Sequence, residues 1–300
     1  MFQYDMKKIR IIGIVIILIG ICAVSAHIMY LYTLRPKEKY PQDSYLRNVQ
    51  NKTALIIVAH DDDAAPFSGT TSLLAANGWN ISFMCFYTDY WRSEENPIRK
   101  LEMGEVAKIQ GFKNLELIDF TLRNRLDTVK QPWMPIHYEK FMDNFKTDSL
   151  NMYILDAIQR YHPSVIFTLD NVIGAYGHPE HVLVSQSILE VCSLFKDSLD
   201  FTVKKIYQSV LPASQAKKIM GNMDVYSEGK RIYGCNGIPS ADVQINISSY
   251  ETTKKRVFLA HASQHRNLKK FIPYYHYYPG WLYFGIFNKE YFRIINVDEI

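Results

Sequence analysis

Two short stretches concentrate the side chains that could do chemistry: His60-Asp61-Asp62-Asp63 and His178-Pro179-Glu180-His181. Each mixes imidazole with carboxylate, the nitrogen and oxygen donors that a catalytic zinc accepts. Such an ion takes three protein ligands, keeps a position for water, brings that water's pKa to about 7 and polarises a substrate carbonyl. A neighbouring carboxylate must then take the proton, and a second acid must serve a leaving amine. Between them the two stretches hold all of these parts. Taken singly, each has a plainer explanation. An acidic turn is commonly a solvated helix cap, and histidines commonly cap helices or sit satisfied at interfaces. The second stretch is also not the zincin pattern on a helix, because its histidines are three apart with a proline between them.

What ties the two stretches together is the elements that precede them. Ala54–Ala59 (ALIIVA) is a continuous apolar run of buried-strand length, and it runs directly into His60. Ser164–Leu169 (SVIFTL) is another, followed by Asp170 and then by Gly174–His181. Ile81–Tyr87 and Leu115–Ile118 are further strand candidates. Thr70–Ala76, Arg99–Gln110, Tyr153–Tyr161 and His181–Phe195 alternate with them as helices. Asn77-Gly78 and Gly111 supply helix stops, and in Arg99–Gln110 the apolar side is read as Leu101, Val106 and Ile109. This βα order predicts an α/β fold: a Rossmann-like parallel sheet with helices on both faces. Ligands in such sheets sit beyond the carboxyl ends of the strands, where both stretches fall. Past about residue 210 the pattern loses regularity, and no elements are assigned.

The two loops resemble those of the PIG-L/LmbE-like zinc de-N-acetylases, whose signatures are an AHPDDE-like loop after the first strand and a later GHPDH-like loop. Here they stand as AHDDDA (Ala59–Ala64) and GHPEH (Gly177–His181). Ser68-Gly69-Thr70, Arg99-x-x-Glu102 before Gly111, Asp119 after a strand, and AHASQ (Ala260–Gln264) follow in the family's order, so the resemblance spans roughly residues 53–292. It implies His60, Asp63 and His181 as ligands of Zn2+ or another divalent metal. It implies Asp62 as general base, and His178 as the group that steadies the tetrahedral intermediate and helps protonate the amine. Glu180, where the family usually has Asp, would orient a neighbouring histidine. Arg99 and Asp119 match positions that often face the sugar, although a salt bridge or helix cap explains either equally well. For His261 and Gln264, structural hydrogen bonding is the preferred reading. The implied activity is hydrolysis of the acetamido group of an N-acetylglucosamine-type glycoside or glycolipid, with release of acetate.

Two departures stand out. Asp61 replaces the usual proline, which predicts a looser loop because the ring's fixed φ is lost. Ala64 replaces an acid that would have tuned the metal. They motivate an alternative, a catalytically degenerate member that binds a glycan without chemistry. A phosphoesterase on the same scaffold would want a second metal or a cluster of basic groups, and neither is evident.

The remainder of the chain sets the context. Hydrophobic content of 48% and charged content of 21% are those of a globular protein. A net charge of +4 without a Lys/Arg block gives no support to nucleic-acid binding. Ile11–Leu34 contains no Asp, Glu, Lys or Arg and is long enough to span a bilayer core. Residues 1–34 therefore read as a signal anchor or transmembrane segment, with a cleaved export signal as the alternative at Val24-Ser25-Ala26. Residues 35–52 read as a linker, and 53–300 as the catalytic domain. Basic residues flank the apolar run on both sides, and Lys7, Lys8 and Arg10 before it favour a membrane-anchored protein with an extracytoplasmic catalytic domain. The body cysteines Cys85, Cys192 and Cys235 form no CxxC pair and read as buried free thiols. Tyr274–Trp281 is rich in aromatics, which either pack a small subdomain or stack on sugar rings.

Overall fold

The computed structural model describes residues 2–86, 92–125 and 130–300; Tyr87, the last residue of the second apolar run, lies outside them. The chain divides into two units, Met1–Arg35 and Pro36–Ile300. The first consists mainly of helix α1 (Phe2–Thr33). Its segment Lys8–Thr33, 26 residues, is long and apolar enough to cross a membrane, a test that an export signal also passes.

Among its described residues the second unit has seven strands: β1 (Thr53–Val58), β2 (Asn80–Cys85), β3 (Asn114–Leu117), β4 (Val165–Leu169), β5 (Lys205–Val210), β6 (Val243–Asn246) and β7 (Lys289–Asn296). They form one sheet in the order β3-β2-β1-β4-β5-β7-β6. The first five of that order are mutually parallel, as the βα alternation requires. β7 pairs antiparallel with both β5 and β6. In β1 every residue after Thr53 is buried, and all of β4 is buried. Covering on both faces is why these strands read as unbroken apolar runs.

The main helices are α2 (Ser68–Ala76), α3 (Asn96–Gln110), α4 (Thr147–Tyr161), α5 (Pro179–Phe195), α6 (Ala213–Met220), α7 (Glu251–Ala260), α8 (His265–Phe271) and α9 (Gly280–Ile286). Helices α2, α3 and α7 pack on one another, and α4 packs on α5. Proline in the first turn starts both α3 and α5, and Gly111 in the left-handed region ends α3. In α3 the buried face is Arg99, Met103, Val106 and Gln110, while Leu101 is 77% exposed. The inward stripe therefore carries an arginine, which the apolar pattern through Leu101 missed.

Residues 35–52 do connect α1 to β1, but much of this stretch is docked rather than free. Gln42 bridges to Gln244 beside β6. The Glu38 carboxylate accepts the Ser214 N–H at 2.8 Å at the start of α6, and buried Asp43 accepts from the Tyr207 hydroxyl at 2.9 Å. Cys85 and Cys192 are buried free thiols, and Cys235 is half-buried and free.

The chain leaves β1 to build β2 and β3 on one side, then returns to place β4 on the other. β1 and β4 are thus the pair at which strand order reverses, the usual position for a ligand crevice. Ala54 lies opposite Val165 and Ile56 opposite Phe167, so the two strands end level. The loops at 60–63 and 170–181 leave side by side.

Candidate metal centre and cavity

The loop after β1 is a tight turn leading into a 3-10 turn at Ala65–Phe67, with the Ala65 N–H on the Asp62 carbonyl at 3.1 Å. The turn sends its three carboxylates in different directions. Asp63 folds back, and its Oδ2 accepts the His60 backbone N–H at 2.8 Å. Asp61 points away into the protein and is 1% exposed. The Arg99 Nε lies 3.0 Å from each of its oxygens, and a terminal guanidinium nitrogen also donates to it. The expectation of a looser loop is therefore corrected: an ion pair to α3 holds Asp61 where a proline would have stiffened the backbone. Asp62 remains at the cavity surface, with the Arg99 guanidinium 3.8 Å away.

Backbone donors set the second loop. The Asp170 carboxylate is wholly buried and accepts N–H bonds from Val172, Ile173, Gly174 and Ala175. This ring of bonds curls the chain so that α5 begins under the crevice. Gly174 has a φ of +58°, and a Cβ there would lie 2.7 Å from the His181 Cβ. Only glycine at this position leaves His181 the room it occupies. His178 caps α5, its Nδ1 accepting the Glu180 N–H at 3.2 Å. When neutral, His178 therefore carries its proton on Nε2.

Across the crevice, His60 Nδ1 lies 3.1 Å from His181 Nε2. The Asp63 carboxylate meets both, its Oδ2 3.2 Å from His60 Nδ1 and its Oδ1 3.0 Å from His181 Nε2. Donors on a tetrahedral zinc at 2.0–2.1 Å stand about 3.3 Å apart, so the three groups fit a metal of that kind. His178 is close as well: its donor atom lies within 4.8 Å of those of His60 and His181. Its Nδ1 is occupied by the helix cap, which leaves Nε2 to face the others. The outer nitrogens are also engaged. His60 Nε2 meets Glu180 Oε2 at 2.9 Å, and His181 Nδ1 meets the Gly174 carbonyl at 3.0 Å, contacts that fix ring orientation in metal sites.

The electrostatics follow from this crowding. Burial would lower the His60 pKa, but the Asp63 and Glu180 carboxylates raise it well above the ordinary value. Burial would raise that of Asp63, yet His181 and His60 hold it well below. Burial, with His181 and His60 beside it, keeps His178 well below its usual value. Asp62 is pushed up to about 6 by burial and by the charges of Asp61 and Asp63, against the pull of Arg99. Burial would also raise Glu180, but His60, His178 and Arg123 hold it down.

A cavity of about 800 Å³ opens over this cluster. Asp62, Asp63, His178, Glu180 and both other histidines line it, as does Arg99, whose guanidinium is turned to Asp61. Asp119 is exposed and does not line it, so the structure does not bring Asp119 to the other candidates. Gln264 lines the cavity, whereas His261 is buried behind Arg99 and Asp61, whose charges act on it. In the same motif Ser263 donates through its N–H and hydroxyl to Glu102, at 2.8 and 2.7 Å. None of Tyr274–Tyr278 or Trp281 lines the cavity.

Sequence reasoning missed four participants. Arg123, 3% exposed, donates from Nε to Glu180 Oε1 at 2.6 Å and from a terminal nitrogen to the Pro132 carbonyl at 2.6 Å. It thereby links the His60–Glu180 pair to a stretch of the cavity wall. Tyr176 stands edge-on to His181, with ring centroids 5.3 Å apart, and stacks on Phe271 at 4.4 Å. Lys254 and Glu290 form a buried pair at 2.5 Å in the cavity lining, and Glu290 also accepts the N–H groups of Gly69 and Thr70 at the start of α2. Only Tyr176 carried a signal, its place two residues before His178.

Comparison with known proteins agrees with the loops. Residues 55–192, which include both, match the family described as PIG-L: GlcNAc-PI de-N-acetylase. No curated protein matches the chain in sequence. Among solved structures, the N,N'-diacetylchitobiose deacetylase from Pyrococcus horikoshii is 17% identical, with 84% of this chain and 91% of that one covered at a TM-score of 0.51. The conserved protein TT1542 from Thermus thermophilus is 18% identical, covering 81% and 94% at 0.50. GalB, the 4-carboxy-2-hydroxymuconate hydratase from Pseudomonas putida, is 16% identical, covering 73% and 82% at 0.50. At these identities the likeness establishes the fold. One fold here carries differently named enzymes, so the reaction has to be argued from the site.

Proposed function

We propose that this protein is a metal-dependent amidohydrolase that removes the acetyl group from an N-acetylated sugar, carried as a glycoside or glycolipid. The observation that supports this most is that His60 Nδ1 and His181 Nε2 stand 3.1 Å apart with the Asp63 carboxylate against both, Oδ2 at 3.2 Å from the first and Oδ1 at 3.0 Å from the second, at a cavity that also presents Asp62 and His178. In this reading His60, Asp63 and His181 hold Zn2+ or another divalent ion. When bound, the ion supplies an activated water and polarises the acetamido carbonyl.

The protein's own groups do the rest. Asp62, whose pKa is pushed up to about 6, takes the proton from the attacking water. His178, with its Nδ1 engaged by the Glu180 N–H, presents Nε2–H to the developing oxyanion and steadies it, and the proton that Asp62 took from the water passes to the amine as the C–N bond breaks. Glu180 holds the His60 ring from behind, and Arg123 holds Glu180. Arg99 keeps Asp61 out of the cavity and lends positive charge to Asp62. The helix α1 serves as a membrane anchor, with the catalytic unit outside the cytoplasm.

The family match and the diacetylchitobiose deacetylase both favour de-N-acetylation of a sugar. The hydratase on the same fold argues that hydrolysis needs direct demonstration. A glycan-binding role without turnover loses its main motive, because the Asp61 replacement is compensated by Arg99. The test is to supply a panel of N-acetylhexosamine conjugates to the purified protein and to measure acetate released with and without chelator. Chelator-sensitive acetate release is expected; saturable sugar binding with no acetate from any conjugate would favour the binding reading.

A further inference from the structure

Residues 252–289 contain Lys254, Lys255, Arg256, Arg266, Lys269, Lys270 and Lys289 and no Asp or Glu. Seven cations in a chain of net charge +4 leave the remainder at −3, so positive charge is gathered into this one stretch. Lys254 is spent on Glu290, and Lys255 donates to the Tyr278 carbonyl. Arg266, Lys269 and Lys270 are exposed on α8, a helix of seven residues with no acid. Arg266 and Lys270 are four apart, a spacing at which like charges repel along a helix. Among the described residues no carboxylate takes up either charge.

An aromatic surface adjoins these cations. Tyr277 is 68% exposed and Trp281 66%, whereas Tyr275, Tyr283 and Phe284 from the same stretch are buried. The Tyr277 ring lies 3.9 Å from His276 and 6.4 Å from Tyr274. Lys255 of α7 donates to the Tyr278 carbonyl and the His265 ring at the start of α8 stands edge-on to Tyr275, with centroids 6.2 Å apart, so both basic helices lie against the aromatic loop. Neither Tyr277 nor Trp281 lines the cavity, so the cavity does not account for their exposure.

Exposed tyrosine and tryptophan beside clustered lysine and arginine fit the boundary of an anionic bilayer: the rings sit at headgroup depth and the cations meet lipid phosphates. We propose that α8, the loop 272–279 and the start of α9 form a docking face for an anionic lipid surface. Arg266, Lys270, Phe271 and Ile272 of this stretch also line the cavity. Docking therefore brings one wall of the cavity to the headgroup layer, which suits a substrate carried on a lipid. The face uses neither the metal donors nor the base, so its test reads lipid contact and not acetate.

The experiment uses the full chain with Cys22→Ser and Cys235→Ser, and a bilayer-sensitive fluorophore on Tyr277→Cys. The protein is reconstituted in phosphatidylcholine vesicles with or without phosphatidylglycerol, each containing a bromolipid quencher. Quenching should be several-fold stronger in the anionic vesicles, and Lys269→Glu with Lys270→Glu should abolish the difference. Each lysine at such a surface is worth about fivefold in partitioning. A label equally quenched in both lipids, and equally open to aqueous iodide, would overturn the docking face. Because the first arm changes only the lipid, its outcome does not depend on how the charge-reversed variant folds.

Discussion

Strands β1 to β5 run parallel, and two of them, β1 and β4, end in the loops that carry the proposed metal donors. Strands β6 and β7, with the helices between residues 211 and 288, contribute none of those donors and instead form much of the cavity wall. Each half also has its buried ion pair. Arg99–Asp61 fixes the loop that bears Asp62 and Asp63, whereas Lys254–Glu290 fixes the start of α2 and the wall beside it. The difference teaches where chemistry and where shape are decided. In the parallel half a displaced side chain changes what the site can do; in the antiparallel half it changes what the site can admit.

The largest effect is expected at the donors. Asp63→Ala should lose the metal and lower acetate release by about a thousandfold or more, since several kcal/mol of charge stabilisation goes with it. Metal analysis alongside turnover checks this, and a fully metallated, active variant would show that the centre lies elsewhere. A smaller effect is expected one contact out. Glu180→Gln weakens the grip on His60, and metal affinity should fall by about 10- to 100-fold in a competition titration, with the fold intact.

The two ion pairs sharpen the comparison directly. Arg99→Ala leaves Asp61 buried and unpaired, and should cost about 3–5 kcal/mol in denaturant unfolding. Lys254→Ala should cost a similar amount, partly relieved because Glu290 keeps two backbone N–H bonds. Rescued by low temperature, the Lys254 variant should retain metal, while the Arg99 variant should bind it weakly. Equal metal binding by both would erase the division between the halves.

Much of the parallel half was legible because its strands are covered on both faces. ALIIVA and SVIFTL have no polar interruption to obscure them, and the residues that follow are conspicuous for their donors. What α3 does was less legible. Its inward stripe contains Arg99, an arginine that looks like a surface residue until Asp61 is known to face it. Arg123 was invisible for the same reason, since its partner Glu180 lies 57 residues further on, in a contact that no period describes. In the antiparallel half, β6 is four residues long and β7 is partly open, so neither shows a clean pattern. The 35–52 segment reads as a polar linker because the side chains that dock it, Glu38 and Asp43 with Tyr40 and Leu46, are scattered and show no period.

The smallest predicted effect concerns pH. Burial pushes the His261 pKa down to about 4, against an ordinary value of 6.5. The group is neutral in the folded protein and costs nothing above pH 6.5 or so. As pH falls toward about 4 the unfolded chain takes up a proton that the folded one refuses, so stability declines, by up to about 3 kcal/mol. His261→Gln should flatten that decline in urea unfolding at successive pH values; an unchanged slope would assign the acid sensitivity to other groups.

The central claim is that one metal is held between the two loops while Asp62, not a ligand, takes the proton. Asp62→Asn tests it most directly, with metal content and acetate release measured on the same preparation. The predicted result is a full equivalent of metal and acetate release reduced by about a hundredfold or more. Near-normal acetate release from that variant would contradict the account.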